Sequence, residues 1–235
     1  MGELRLPGSF DETLATLVQG LSAGRVLRVV NFHATPSWRR DEYRRQFETY
    51  ARLFAPITPR NFGTAFDGTW AEARPGLMPV LFEGFRDNVD VMVPVLEEFG
   101  FAGWFFVPSA FPAVGAQVQR SFAAAHMLHL PKRDEYPGER VVMTWDEARD
   151  LAGRGHGFAC HSRSHFDLQP DTPDHVLWDE IHTAATEMRA GLEQAVEIFC
   201  WLHGAEAGVN PRADAMLTEA GFRYLFSNFK VQRLA

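Results

Sequence analysis

Cysteine is scarce: Cys160 and Cys200 are the only two in 235 residues, too few for the disulfide framework on which small secreted folds depend. A reduced compartment suits them, and buried free cysteine usually behaves as a small hydrophobe. Long apolar runs are also missing, since no window approaches the roughly 18 residues that a membrane span requires. Positive charge is in deficit, with 23 Lys and Arg against 30 Asp and Glu and a formal charge of −7. Nucleic acid and anionic membrane both select a basic face, so neither is expected as a main partner. The opening "MGELRLPGSFDETLATLVQG" shows no basic segment followed by an apolar core, so no signal peptide and a cytoplasmic location are expected. Internal repeats and low-complexity tracts are absent too. What remains is an ordinary globular composition, 46% hydrophobic and 23% charged, long enough for one large domain acting on a small molecule or saccharide. Self-association into a homo-oligomer is left open.

Short apolar runs alternate with amphipathic stretches. Residues 25–34, 77–84, 101–108, 155–162, 197–204 and 222–228 read as buried strands. Residues 40–54, 88–100, 144–155, 172–194 and 211–221 carry helical periodicity. Thr144 and Thr172 are N-cap candidates, and Gly100, Gly155 and Gly221 stand where helices should stop. Strand then helix, about six times over, implies a parallel sheet with helices outside. At this length a closed or distorted (β/α) barrel is expected, over residues 25–228 of a single domain 1–235, with 1–24 as an N-terminal extension. Ligands of such folds gather at the carboxyl ends of the strands. The residues at those ends are His33, Glu83, Pro108, His161, His165, His203 and Asn228.

Two of these stand out in "GFACHSRSHFDL", residues 157–168, where His161 and His165 are four apart directly after a strand. That spacing lets two imidazoles converge on one ion. Alone, the pair is equally compatible with two histidines of no ligand role. His156, at the other end of the same strand, is expected to be structural, and His126 and His129 fall in a loop-like insertion without a readable role.

The stretch "MTWDEARDLAGRGHGFACHSRSHFDL" resembles the second motif region of the polysaccharide deacetylases, the NodB-homology or carbohydrate esterase family four group. There a helix with a Trp near its start leads to a Gly-His strand and then to His-Ser/Thr-x-x-His, whose histidines bind the metal. Upstream, "MPVLFEGFRDNVDVMVPVLEEFGFAGWFFVPSAF" is similar to the family's first motif, a strand ending in Thr-Phe-Asp-Asp-Gly followed by a helix and a second strand. The resemblance covers roughly residues 25 to 228 and implies the family's distorted barrel of about seven parallel strands. It also implies hydrolysis of an amide-type C–N bond, as in deacetylation of an N-acetylated sugar or small amide.

Several motif positions depart from the pattern. Aligning "VLFEGFRDN" with Thr-Phe-Asp-Asp-Gly-Tyr-x-Asp-Asn puts Phe82 at the catalytic-base aspartate and Glu83 at the aspartate that is the third metal ligand. In "CWLHG", Cys200 stands at the arginine that orients the base, Leu202 at a proline, and His203 at the aromatic whose backbone amide helps form the oxyanion hole. A Leu-x-His motif, source of the family's general acid, is not found in these residues. The resemblance therefore implies a divalent metal, zinc by default, on Glu83, His161 and His165. His33 or His203 would move protons, because an imidazole titrates near working pH. Glu83 could instead be the base of a metal-independent hydrolase of the allantoinase or cyclic-imidase kind. A catalytically silent member serving as a binding or scaffolding module is the remaining alternative. Trp38, Phe82 and Trp201 are expected against the substrate.

Overall fold

A computed structural model describes residues 27–130, 135–203, 205–227 and, as backbone, 231–233. The expected extension 1–24 and the strand-end Asn228 lie outside the described residues. Eight strands form one sheet: β1 (Leu27–Phe32), β2 (Ala55–Pro56), β3 (Gly76–Phe82), β4 (Trp104–Val107), β5 (Gly157–Cys160), β6 (Ile198–Cys200), β7 (Tyr224–Phe226) and β8 (Val231–Arg233). Their order is β1-β3-β4-β5-β6-β7-β8, with β2 paired to the first residues of β3. All pairings are parallel except that of β8, which runs antiparallel to β7. Between β1 and β8 there is no pairing among the described residues, so the sheet is a curled half-barrel and not a closed one.

Strand alternation sorts the sheet into two apolar layers, because successive side chains point to opposite faces. Met78, Val80, Phe82, Trp104, Phe106, Ala159, Ile198, Cys200, Tyr224 and Phe226 pack on one face with Ile57 and Phe62. Leu77, Leu81, Phe105, Val107, Phe158, Cys160, Phe199, Trp201 and Leu225 belong to the other face, beneath the helices. Four longer helices, α1 (Arg40–Leu53), α5 (Trp145–Gly153), α7 (Ala184–Leu192) and α8 (Pro211–Glu219), cover it together with the six-residue α3 (Val93–Glu98), with the short α2 (Thr64–Asp67), α4 (Gln119–Ala125) and α6 (Asp174–Trp178) between. Each longer helix turns an apolar stripe inward, as Tyr43 and Phe47 do from α1 and Leu177 and Ile181 do around α6.

Local signals account for most boundaries. Thr144 and Glu147 form a reciprocal capping box at the start of α5. Gly100, Gly155 and Gly221 all have left-handed backbone after a helix, a conformation costly for any residue with a Cβ. Thr172 does not cap: its N–H donates to the Gln169 carbonyl, and the helix begins after Pro173. Nor is 172–194 one continuous helix. A π-helical turn, Asp179–Thr183, separates α6 from α7, and a second one, Asn88–Met92, precedes α3. The extra residue in each turn rotates a polar side chain, Glu180 or Asn88, into buried surroundings.

Candidate active site

The mouth of the half-barrel collects the strand-end residues, and alternation explains which ones. His161 is two residues beyond Ala159 and His33 four beyond Val29, so both continue the face opposite the helices. Glu83 follows the inward Phe82 and should point outward. Its left-handed backbone (φ 71°), followed by Gly84 (φ 69°), redirects it. The segment is pinned on both sides: Glu83 N–H donates to the Phe106 carbonyl (2.9 Å), and Met143 N–H donates to the Gly84 carbonyl (2.9 Å).

Glu83, His161 and His165 offer one ligand atom each, all within 4.8 Å of one another, and all three residues are buried. His165 Nε2 lies 3.3 Å from Glu83 Oε1. Both imidazoles are oriented from behind. His161 Nδ1 is 3.0 Å from the Cys200 carbonyl and His165 Nδ1 is 2.8 Å from the His126 carbonyl, so each Nδ1 carries the donated proton. Such anchoring turns the Nε2 atoms towards the shared space, as in metal-ligating histidines. Glu83 Oε2 is buried without a hydrogen-bond partner. A buried carboxylate oxygen left unpaired beside two forward-facing imidazoles is a donor set that a divalent cation would complete.

Electrostatics follow from this crowding. Burial pushes the His161 pKa down to about 4, so its imidazole is neutral at neutral pH. Burial also opposes ionisation of both Glu83 and His165, but their mutual hydrogen bond prevails, lowering Glu83 and raising His165. Without a metal each of the two favours the charged form of the other.

His33 sits at the rim with an exposed side chain, Nε2 4.0 Å from Glu83 Oε1. Its ring stacks on Phe82 at 4.8 Å and 12°, and Phe82 in turn meets His161 edge-on at 5.2 Å. His203, half exposed and in left-handed backbone (φ 49°), holds its ring 5.8 Å from His165 and its Nδ1 3.7 Å from Asp167 Oδ2. Trp38 is half exposed on the turn Ser37–Arg39 that follows β1. Trp201, expected against the substrate, is instead buried beneath the helices against Phe199 at 5.6 Å. Alternation gives the reason, since Cys200 before it faces the other layer. Cys160 and Cys200 are buried, and burial drives both thiols far above their ordinary pKa, so neither is reactive. His156 accepts the Gly103 N–H (2.8 Å) and meets Glu97 at 3.1 Å, a structural role.

Of the supporting residues, Asp87 and Asn88 close the motif "VLFEGFRDN", where Asp87 is expected to support the loop, whereas the residue behind His165 went unread in the sequence. The His126 carbonyl orients His165, and no side-chain pattern announces a carbonyl's direction. Asn88 donates to the His33 carbonyl (2.7 Å) and to Thr35 Oγ1 (3.0 Å), while Asp87 accepts the Thr35 N–H (2.9 Å), so together they fix the loop that carries His33. Burial pushes the Asp87 carboxyl up to about 7. A carboxyl raised on folding stabilises fully below its unfolded value near 4, and that contribution is lost as pH rises through about 7. Asp87→Asn keeps an acceptor for Thr35 without the charge. The variant should match the wild type near pH 4 and exceed it by on the order of 2–4 kcal/mol at pH 8, read from urea midpoints. Equal midpoints at pH 8 would remove the buried-charge argument.

Comparison with known proteins supplies the lineage. The family model described as polysaccharide deacetylase matches residues 66–225, more than half of the chain. No curated protein matches the sequence. Among solved structures, the Streptococcus pyogenes deacetylase PplD in complex with acetate is similar at TM-score 0.63 and 13% identity, covering 83% of this chain and 80% of that one. IcaB from Ammonifex degensii aligns at TM-score 0.64 and 17% identity over 86% and 83% of the two chains. The de-N-acetylase from Aggregatibacter actinomycetemcomitans does so at 0.64 and 12% over 89% and 91%. At such identities these structures show a common fold. No helix among the described residues is long and apolar enough to cross a membrane. With its curled parallel sheet and the match across residues 66–225, the chain belongs to the polysaccharide deacetylase family.

Proposed function

We propose that the protein hydrolyses an amide-type C–N bond, as a deacetylase, with a divalent metal held by Glu83, His161 and His165. One observation carries the reading: two buried imidazoles, each tied through Nδ1 to a backbone carbonyl, face a carboxylate that has one oxygen unpaired. Zinc is the default for two histidines and one carboxylate with open positions. When bound, such an ion supplies a Lewis acid for the amide carbonyl and acidifies a ligating water.

The chain's own residues divide the remaining tasks. His33 is the proposed general base. Partial withdrawal from water holds its pKa below the ordinary value, against the pull of Glu83, so the ring is neutral and able to accept a proton at neutral pH. Stacking on Phe82 fixes its plane. His203, steadied by Asp167, is the proposed acid for the departing amine. Backbone amides at Leu202 and His203 are proposed to receive the oxyanion, since the neighbouring Trp201 N–H already donates to the Phe226 carbonyl (2.9 Å). Trp38 offers flat apolar surface for an N-acetylated sugar or small amide, whereas Phe82, expected against the substrate, is buried and acts through the His33 ring stacked on it. A cytoplasmic location fits the two buried free thiols.

The test is acetate release from N-acetyl sugars and small amides by zinc-loaded protein. His33→Gln should lower kcat roughly 10²- to 10⁴-fold, the span of general acid–base assistance, with zinc content unchanged. An undiminished rate would remove His33 from the reaction. Turnover that survives chelation would assign the base to Glu83 without a metal, and none on any amide would leave a binding module.

A further inference from the structure

The loop between the two proposed metal-binding histidines is strained. Ser162 and His165 both adopt left-handed backbone, φ 60° and 62°, a conformation unfavourable for any residue with a Cβ. Something must hold that shape, and one buried carboxylate is aimed at it. Glu180, with only 5% of its surface exposed, accepts the backbone N–H groups of Arg163 and Ser164 at Oε2, each at 2.9 Å. Its Oε1 accepts the Ser164 hydroxyl at 2.5 Å. Three donors from consecutive residues thus meet one side chain from the π-helical turn Asp179–Thr183. Neighbours add to the clamp: the Arg163 guanidinium pairs with Asp179 and Glu187 (2.9 Å each), and Ser162 Oγ accepts the Phe166 N–H (2.8 Å). Asn88, in the other π-helical turn, braces the His33 loop in the same manner.

We infer that Glu180 is a positioning residue, whose carboxylate sets the backbone of 163–164 and thereby aims His165 Nε2 at Glu83. It touches neither substrate nor ligand sphere. A regular helix through 179–183 would present a different residue to the loop, so the π turn is what places Glu180 there. The inference rests on the proposed metal site for its functional consequence, but its geometric content, the orientation of His165, is independent of any metal.

Three proteins test it: wild type, Glu180→Ala and Glu180→Gln. Gln keeps an oxygen for the two backbone N–H groups and a polar group for Ser164; Ala leaves all three donors unpaired. Co²⁺ titration followed by its visible absorption should show roughly 10- to 100-fold weaker binding and an altered spectrum for Glu180→Ala, the range expected for partners behind a ligand. Glu180→Gln should recover the wild-type values. In the metal-free proteins, ¹⁵N spectra of the imidazoles should show His165 losing its Nδ1-protonated pattern in Glu180→Ala alone, while His161 is unchanged. Should Glu180→Ala fail to fold, Glu180→Asp, which withdraws the carboxylate by one methylene, carries the same measurements. Unchanged Co²⁺ affinity, spectrum and His165 signal in a folded variant would overturn the inference. A wild type that takes up no Co²⁺ overturns the metal site instead, and the His165 signal then decides the role of Glu180 by itself.

Discussion

Stripped of metal and titrated with Zn²⁺, the wild-type protein should take up one ion per chain, and His161→Ala should lose that uptake. Ligand partners outside the coordination sphere are worth 10- to 100-fold in affinity, so loss of a ligand should exceed about 100-fold. Binding to the folded state alone also stabilises it. At free Zn²⁺ 100 times the dissociation constant, the gain is about 2.7 kcal/mol. For a domain of this size that moves Tm by about 5–10 °C. His161→Ala should show neither the uptake nor the shift. The dependence on pH has a definite sign. In the metal-free protein Glu83 raises the His165 pKa, so below that raised value the ion has to displace a proton from His165. Affinity should therefore weaken as pH falls through that raised value, with proton release measurable by calorimetry in buffers of different ionisation enthalpy. His161, already neutral well below pH 7, adds no proton there. A His161→Ala protein that binds Zn²⁺ like the wild type would end the case for this triad.

How far the sequence foretold this site depends on what kind of signal each part leaves. His161, His165 and Glu83 were legible because strand ends and motif spacing are written in side chains, and the structure brings all three within 4.8 Å. The six main strands were legible for the same reason, as apolar runs between helical periodicities. By contrast β2 spans two residues and β8 three, and such lengths are fixed by the neighbouring strand and not by their own pattern. The helix α4, before the insertion that holds His126, went unnoticed because its apolar residues cover a separate small core with Phe85 and Phe111. Glu180 was hidden for a subtler reason. Helical periodicity through 172–194 is almost undisturbed by one extra residue, so a π turn cannot be told from a regular one. Trp201 failed because aromatic character at a strand end suggests a substrate platform, whereas alternation from Cys200 sends it under the helices.

Phe82 is where the chain departs furthest from the motif it resembles, and Phe82→Asp should expose what that departure achieves. The ring is buried between His33 and His161 and packs on Phe106 at 5.4 Å. Replacing it removes core volume, and it sets a second carboxylate next to Glu83. Large-to-small changes of a Phe cost 3–5 kcal/mol, and an uncompensated buried charge costs a similar amount. The metal-free variant should lose at least about 5 kcal/mol, a fall in Tm of at least about 10 °C. No arginine stands ready to balance the charge, because Cys200 occupies that motif position. Zn²⁺ would supply the missing positive charge, so saturating ion should recover much more Tm in Phe82→Asp than in the wild type. Phe82→Leu separates the two contributions: it loses ring contacts without gaining charge, and Zn²⁺ should raise its Tm only as far as the wild type's. Equal Zn²⁺ shifts in all three proteins would mean that position 82 does not face the ion. A larger shift in Phe82→Asp alone would mean that a carboxylate there feels the bound cation, and that the wild-type ring withholds one negative charge from a site that already holds Glu83.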